Sequence, residues 1–207
     1  MLQVHKLSCM RGDRRLFADL DLALDAGELL YVHGHNGSGK TTLLRALCGL
    51  VRPEDGEIRW RGEDVRALRE DFARDLLYLG HKNGIKGDLT ALENLQVSSV
   101  LDGFPVSEQQ ALAALGRIGL DGHEDLETKV LSQGQQRRVA LARLLVNRAP
   151  LWILDEPFVA LDKAAVELLQ QVIREHVTGG GMVVLTTHQE VPLTDGIVKR
   201  LKLGWRD

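Results

Sequence analysis

The clearest chemistry in this chain lies in Gly34-His35-Asn36-Gly37-Ser38-Gly39-Lys40-Thr41, with Thr42 beside it. The first eight residues fit the P-loop pattern Gly-x4-Gly-Lys-[Ser/Thr]. A loop that wraps a phosphate must turn its backbone N–H groups inward, and side chains at the glycine positions would block that approach. The helix expected to start at Lys40 adds the positive end of its dipole. Lys40 can reach the β- and γ-phosphates of a nucleotide, and the Thr41 hydroxyl is a hard oxygen ligand suited to Mg2+.

A second group is Leu151-Trp152-Ile153-Leu154-Asp155-Glu156, an apolar run ending in two acids. At the carboxyl end of a strand beside the P-loop strand, such acids are expected to face the ligand crevice. Asp155 can hold Mg2+ through water, and Glu156 can polarise an attacking water as general base. A third group, Leu131-Ser132-Gln133-Gly134-Gln135, read alone, is a helix cap. Ser132 and Gly134 there would offer an anion a hydroxyl and free backbone N–H groups. Ala160-Leu161-Asp162 and Thr186-Thr187-His188 complete the set.

In this order the five segments resemble the ABC (ATP-binding cassette) ATPases over nearly the whole chain. Residues 131–135 match that family's Leu-Ser-Gly-Gly-Gln signature, with Gln133 in the tolerant third position. The resemblance implies an α/β fold over residues 1–207: a P-loop NTPase core whose mostly parallel sheet carries helices on both faces. It also implies an N-terminal antiparallel β subdomain and a helical subdomain of approximately residues 86–147 inserted in the core. Two ATP molecules with Mg2+ would be clamped across a pair of subunits, Ser132 and Gly134 of one meeting the γ-phosphate held by Lys40 of the other. His188 would steady the attacking water against Glu156, and Asp162, in the D-loop, would link the two sites. Two positions depart from the family. Arg11 stands where an aromatic residue stacks on adenine; a guanidinium can also stack on a base. His81 or Lys82 stands at the Q-loop glutamine, and of the two only neutral His81 could ligate a metal.

The elements that must position these residues read from periodicity. Leu2–Leu7 and Leu16–Leu24 are expected strands, the second alternating apolar Leu20, Leu22 and Leu24 with Asp21, Ala23 and Asp25. Leu29–Val32, Leu76–Leu79, Leu151–Leu154 and Met182–Thr186 are short apolar runs of the kind buried in parallel sheets. The spacing predicts helices from Lys40 to about Cys48 and from Lys163 to Val177, the latter facing the core with Val166, Leu169, Ile173 and Val177. Residues 91–147 read as almost wholly helical, with Ser107 and Gln110 as a capping box. A hairpin is expected at Glu57-Ile58-Arg59-Trp60-Arg61-Gly62, and a final strand over Ile197–Leu203.

Composition sets the remaining bounds. A chain of 207 residues, 44% hydrophobic and 27% charged, suits one folded core. Its 26 basic and 29 acidic residues, net −3, argue against a protein that grips nucleic acid by charge. Cys9 and Cys48 lack neighbours at metal or redox spacing, so a reducing compartment is expected. Cys48 reads as a buried small hydrophobe. His33 and His35 flank the phosphate loop without a visible third metal ligand, and their rings are expected to point outward. No apolar run approaches the roughly 18 residues that cross a bilayer, and no signal peptide is visible.

Within the family, Leu79-Gly80-His81-Lys82-Asn83-Gly84-Ile85-Lys86, Leu89-Thr90-Ala91-Leu92-Glu93-Asn94-Leu95 and Trp152 to Phe158 resemble the CcmA ATPases of bacterial cytochrome c maturation, historically called haem exporters. That resemblance implies a CcmB-like integral membrane subunit with CcmC- and CcmD-like proteins. It also implies a peripheral place on the cytoplasmic face of the inner membrane. No direct haem site is expected, His5 and Cys9 being incidental. Two rival readings stand beside it: the energising subunit of another small exporter, and a soluble iron–sulphur assembly ATPase.

Overall fold

The computed structural model describes residues 1–187 and 197–204. The chain opens with a hairpin of β1 (Leu2–Arg11) and β2 (Arg14–Leu24), turning at Gly12. β4 (Asp55–Trp60) and β5 (Glu63–Asp64) extend it into an antiparallel sheet of order β2-β1-β4-β5. Arg61 and Gly62 both take positive φ between β4 and β5, as a two-residue turn of type I′ requires.

The second sheet contains β3 (Glu28–Gly34), β6 (Leu76–Leu79), β7 (Leu151–Asp155), β8 (Met182–Thr186) and β9 (Ile197–Leu203). Its order is β6-β7-β8-β3-β9, and every pairing is parallel. All five residues of β7 and of β8 are buried. Trp152 and Leu154 pack into one core with the helices, while Leu151 and Ile153 pack into another that includes the antiparallel sheet. A strand covered on both faces leaves no position for polar alternation, hence the unbroken apolar runs.

Helix α1 (Lys40–Leu47) follows β3. The short α2 (Val65–Leu68) and α3 (Glu70–Arg74) lead into β6. Between β6 and β7 run α4 (Ala91–Leu101), α5 (Glu108–Arg117) and α6 (Gln133–Val146), all in mutual contact, and α7 (Lys163–Thr178) joins β7 to β8. One capping device starts three of these helices: Thr90 with Glu93, Ser107 with Gln110, and Ser132 with Gln135. Each such N-cap contributes about 1 kcal/mol relative to alanine. A two-pronged pair of Arg143 with Asp102, both largely buried, ties the end of α4 to α6.

Two local readings change. Cys48 is the half-buried C-cap of α1, while Cys9 is the fully buried cysteine. His33 turns inward and stacks on Tyr31 with centroids 5.6 Å apart, because it follows a fully buried stretch of β3; His35 is exposed as expected.

His176, near the end of α7, lies flat on Trp152 at 3.7 Å. A Cβ at Gly181 would overlap its ring, so glycine is required there. Burial pushes the His176 pKa down from 6.5 to about 4. The unfolded chain therefore binds a proton that the folded chain refuses, and stability falls as pH drops from 6.5 to about 4. The total loss is about 3 kcal/mol by pH 4. Urea unfolding across that window checks it: His176→Phe keeps the stacking and should flatten this part of the pH dependence.

Candidate active site

The phosphate loop is built by the junction of β3 and α1. A Cβ at Gly34 would lie 2.7 Å from the Leu203 carbonyl oxygen. Gly39, the N-cap of α1, has φ 101°, and a Cβ there would meet Leu16 at 3.0 Å. Lys40 is buried and its Nζ donates to the carbonyls of Gly34 at 2.8 Å and His35 at 3.3 Å. The ammonium thus spans the loop from inside.

Asp155 ends β7 beside α1 and is 2% exposed. Thr41 Oγ1 donates to its Oδ2 at 2.8 Å, and Thr186 Oγ1 donates to its Oδ1 at 2.7 Å. The same Thr186 hydroxyl accepts the Glu156 N–H at 2.9 Å. Three segments far apart in sequence thereby fix both acids. The facing Thr41 hydroxyl and Asp155 carboxylate are hard oxygen donors, a set that fits Mg2+. Glu156 itself has φ 52°, a left-handed conformation that a non-glycine residue holds only when its surroundings enforce it.

A cleft of about 520 Å³ is lined by Asn36, Gly37, Gly39, Lys40, Thr41 and Thr42 together with Arg11, Leu16, His81, Asp155, Glu156 and Val159. Phosphate loop, acids and the Arg11 position thus meet in one place. Of the two Q-loop candidates His81 lines this cleft and Lys82 does not. Residues 131–135 are absent from its lining. Ser132 instead caps α6, its Oγ accepting from Gln135 N–H at 3.2 Å, and Gln135 Oε1 accepts from Ser132 N–H. Leu131 is buried, whereas Ser132 and Gln133 are exposed and Gly134 lies against the Ala160 carbonyl. Asp162 caps α7 through Ala165 N–H and pairs with Arg138; the Ala165 bond and the arginine hold its carboxyl below the usual range. His188 lies outside the described residues. Among those described, no group of three His, Cys, Asp or Glu side chains could hold a metal ion.

Two further residues hold the acids in place. Thr186, which ends a buried strand and opens Thr186-Thr187-His188, joins the two acids through its hydroxyl. Arg137 sits on the buried face of α6, four and seven residues before buried Leu141 and Leu144. That spacing was the available signal, since an arginine on an apolar helix face needs internal acceptors. Burial lowers its pKa, opposed by the charges of Asp155 and Glu156.

Arg11 is exposed at the cleft edge. With a guanidinium in place of an aromatic ring, GTP is expected to compete with ATP to within about fivefold. Arg11→Tyr should widen the preference for ATP about fivefold, the effect of ~1 kcal/mol of stacking. Competition binding with both nucleotides tests this. Equal strong ATP preference in both proteins would show that adenine is read elsewhere.

Fold and cleft together define a P-loop ATPase of the cassette type. The structure superposes on a dimeric ATP-binding cassette solved in a post-hydrolysis state with ADP and Pi, with TM-score 0.85, 25% identity, and 99% of this chain and 97% of that one covered. It matches an ATP-binding protein described as a putative ABC transporter from Pyrococcus furiosus with TM-score 0.83 and 26% identity over 97% and 96% of the two chains. The ABC transporter family model matches residues 17–159. The chain is 56% identical to the cytochrome c biogenesis ATP-binding export protein CcmA of Dechloromonas aromatica, over 99% of this chain and 100% of that one. Identity to the protein of the same name from Nitrosomonas europaea is 55%, over 99% and 96%. The chain belongs to the ABC transporter family and, within it, to the CcmA family of cytochrome c biogenesis ATP-binding export proteins. It is an ABC-type ATPase.

Proposed function

We propose that the chain hydrolyses ATP to energise a membrane complex that passes haem towards c-type cytochromes. The full-length similarity to CcmA relatives carries this reading. ATP phosphates would lie on the backbone N–H groups of residues 35–41, with Lys40 Nζ moving from the Gly34 carbonyl to the β- and γ-phosphates. Thr41 and Asp155 would hold Mg2+, which neutralises charge on the phosphate oxygens. Glu156 would take the proton of the attacking water, and His188 would orient that water. Ser132 and Gly134 of a second copy would close over the γ-phosphate, and Asp162 would join the two sites. A cleft that none of residues 131–135 of the same chain lines supports this pairing. ATP then favours the closed pair through contacts that hydrolysis removes.

No helix among the described residues is long and apolar enough to cross a membrane. We place the chain on the cytoplasmic face of the inner membrane, held by a CcmB-like integral subunit working with CcmC- and CcmD-like proteins. The docking segment would be residues 81–94 with the adjoining helical subdomain of about residues 86–147. Val97, Val100 and Leu101, exposed together on α4, support that choice.

Deleting the gene should abolish covalent haem attachment to c-type cytochromes, while b-type cytochromes and iron–sulphur enzymes stay normal. Haem-stained gels and iron–sulphur enzyme assays separate the outcomes. Lost iron–sulphur activity with intact c-type cytochromes would overturn the assignment.

A further inference from the structure

We propose that Arg137 is a positioning residue for hydrolysis, tying the backbone of Asp155–Glu156 to the loop that follows β6. The proposal rests on the reading of Glu156 as general base. Arg137 is 4% exposed on α6, one turn beyond Ser132. Its Nη2 donates to the Glu156 carbonyl at 2.8 Å and the Asp155 carbonyl at 3.4 Å. Its Nη1 donates to the Gly80 carbonyl at 3.3 Å and to Asn83 Oδ1 at 3.2 Å. One planar group therefore joins three parts of the molecule: the signature helix, the end of the catalytic strand, and the 80–83 segment that carries His81.

The strained backbone of Glu156 explains why such a tie matters. Its N–H is held by Thr186, and its C=O by Arg137 at 2.8 Å and by the longer Val159 N–H bond at 3.3 Å, so the left-handed conformation is clamped from both sides. Without Arg137 the carbonyl keeps only the longer Val159 bond, which leaves the peptide and its carboxylate room to shift. A displacement of about 1 Å at a reacting group costs up to about a hundredfold in rate. The fork geometry is essential: two terminal nitrogens reach opposite acceptor sets at once, which a lysine ammonium cannot do. A shift of Gly80–Asn83, the segment beside His81, would thus be felt at the base through one rigid side chain.

The test is steady-state hydrolysis of MgATP by the full chain, with nucleotide affinity and melting temperature measured in parallel. Arg137→Met should lower kcat at least tenfold while KM and nucleotide affinity stay within about twofold. Arg137→Lys, which keeps the charge but not the fork, should recover only part of kcat. Asn83→Ala should lower kcat about threefold in the wild type with unchanged melting temperature, and have no further effect on Arg137→Met. The proposal is overturned by a folded Arg137→Met with wild-type kcat, by affinity falling in step with kcat, or by effects of the two substitutions that multiply. If Arg137→Met does not fold, Asn83→Ala and Arg137→Lys decide, and wild-type kcat in both overturns the proposal. Glu156→Gln is assayed alongside. Its retaining activity would remove the base assignment, whereas an inactive Glu156→Gln beside an unaffected Arg137→Met would remove the positioning role alone.

Discussion

Glu156→Gln is expected to bind MgATP within about twofold of the wild type and to lose turnover by about a hundred- to a thousandfold. The amide keeps the size of the side chain and leaves the backbone bonds to Thr186 and Arg137 in place, so the cleft is unchanged. What is lost is the ability to accept a proton, and removing a general base typically costs two to four orders of magnitude. With hydrolysis blocked and binding intact, the ATP-bound pair should accumulate. Phosphate release, fluorescent-nucleotide binding and size-exclusion chromatography with ATP read the three parts separately. Near-normal phosphate release would exclude Glu156 as the base.

Lys40→Ala is expected to act at the opposite step. It should weaken ATP affinity about a hundredfold, because the ammonium would give charge-assisted hydrogen bonds to phosphate, each worth about 1.5–3 kcal/mol. The substitution also strips the Gly34 and His35 carbonyls of their partner across the loop. A loss of about 1 kcal/mol in stability should accompany it, the net worth of the hydrogen bonds lost at these partly buried carbonyls. Titration calorimetry and denaturant unfolding separate the two effects. ATP affinity at the wild-type level would show that backbone N–H groups alone hold the phosphates.

Much of the fold was legible because its signals are local. β6 and β8 coincide with the apolar runs that announced them, and α7 ends one residue beyond the expected Val177. Ser107 and Gln110 form the capping box their spacing specified, since an N-cap depends on only four consecutive residues. The β1–β2 hairpin runs longer than its hydrophobic pattern, to Arg11 and from Arg14, because backbone pairing continues where side chains are solvated.

By itself the sequence determined the phosphate loop, the acid-ended strand, the helix caps and the strand and helix types. Each is a property of neighbouring residues, set by backbone sterics and by the periods of 2 and 3.6. Only the tertiary structure decided that β8 and β9 flank β3, that Thr186 bridges Asp155 and Glu156, and that His33 turns inward. It alone set His81 rather than Lys82 in the cleft and directed Arg137 of α6 onto the Glu156 carbonyl. Those outcomes depend on which surfaces pack together, and packing couples residues more than a hundred positions apart, as in Thr41 and Asp155. No local period encodes such a pairing, because its free energy exists only once both partners have been removed from water together.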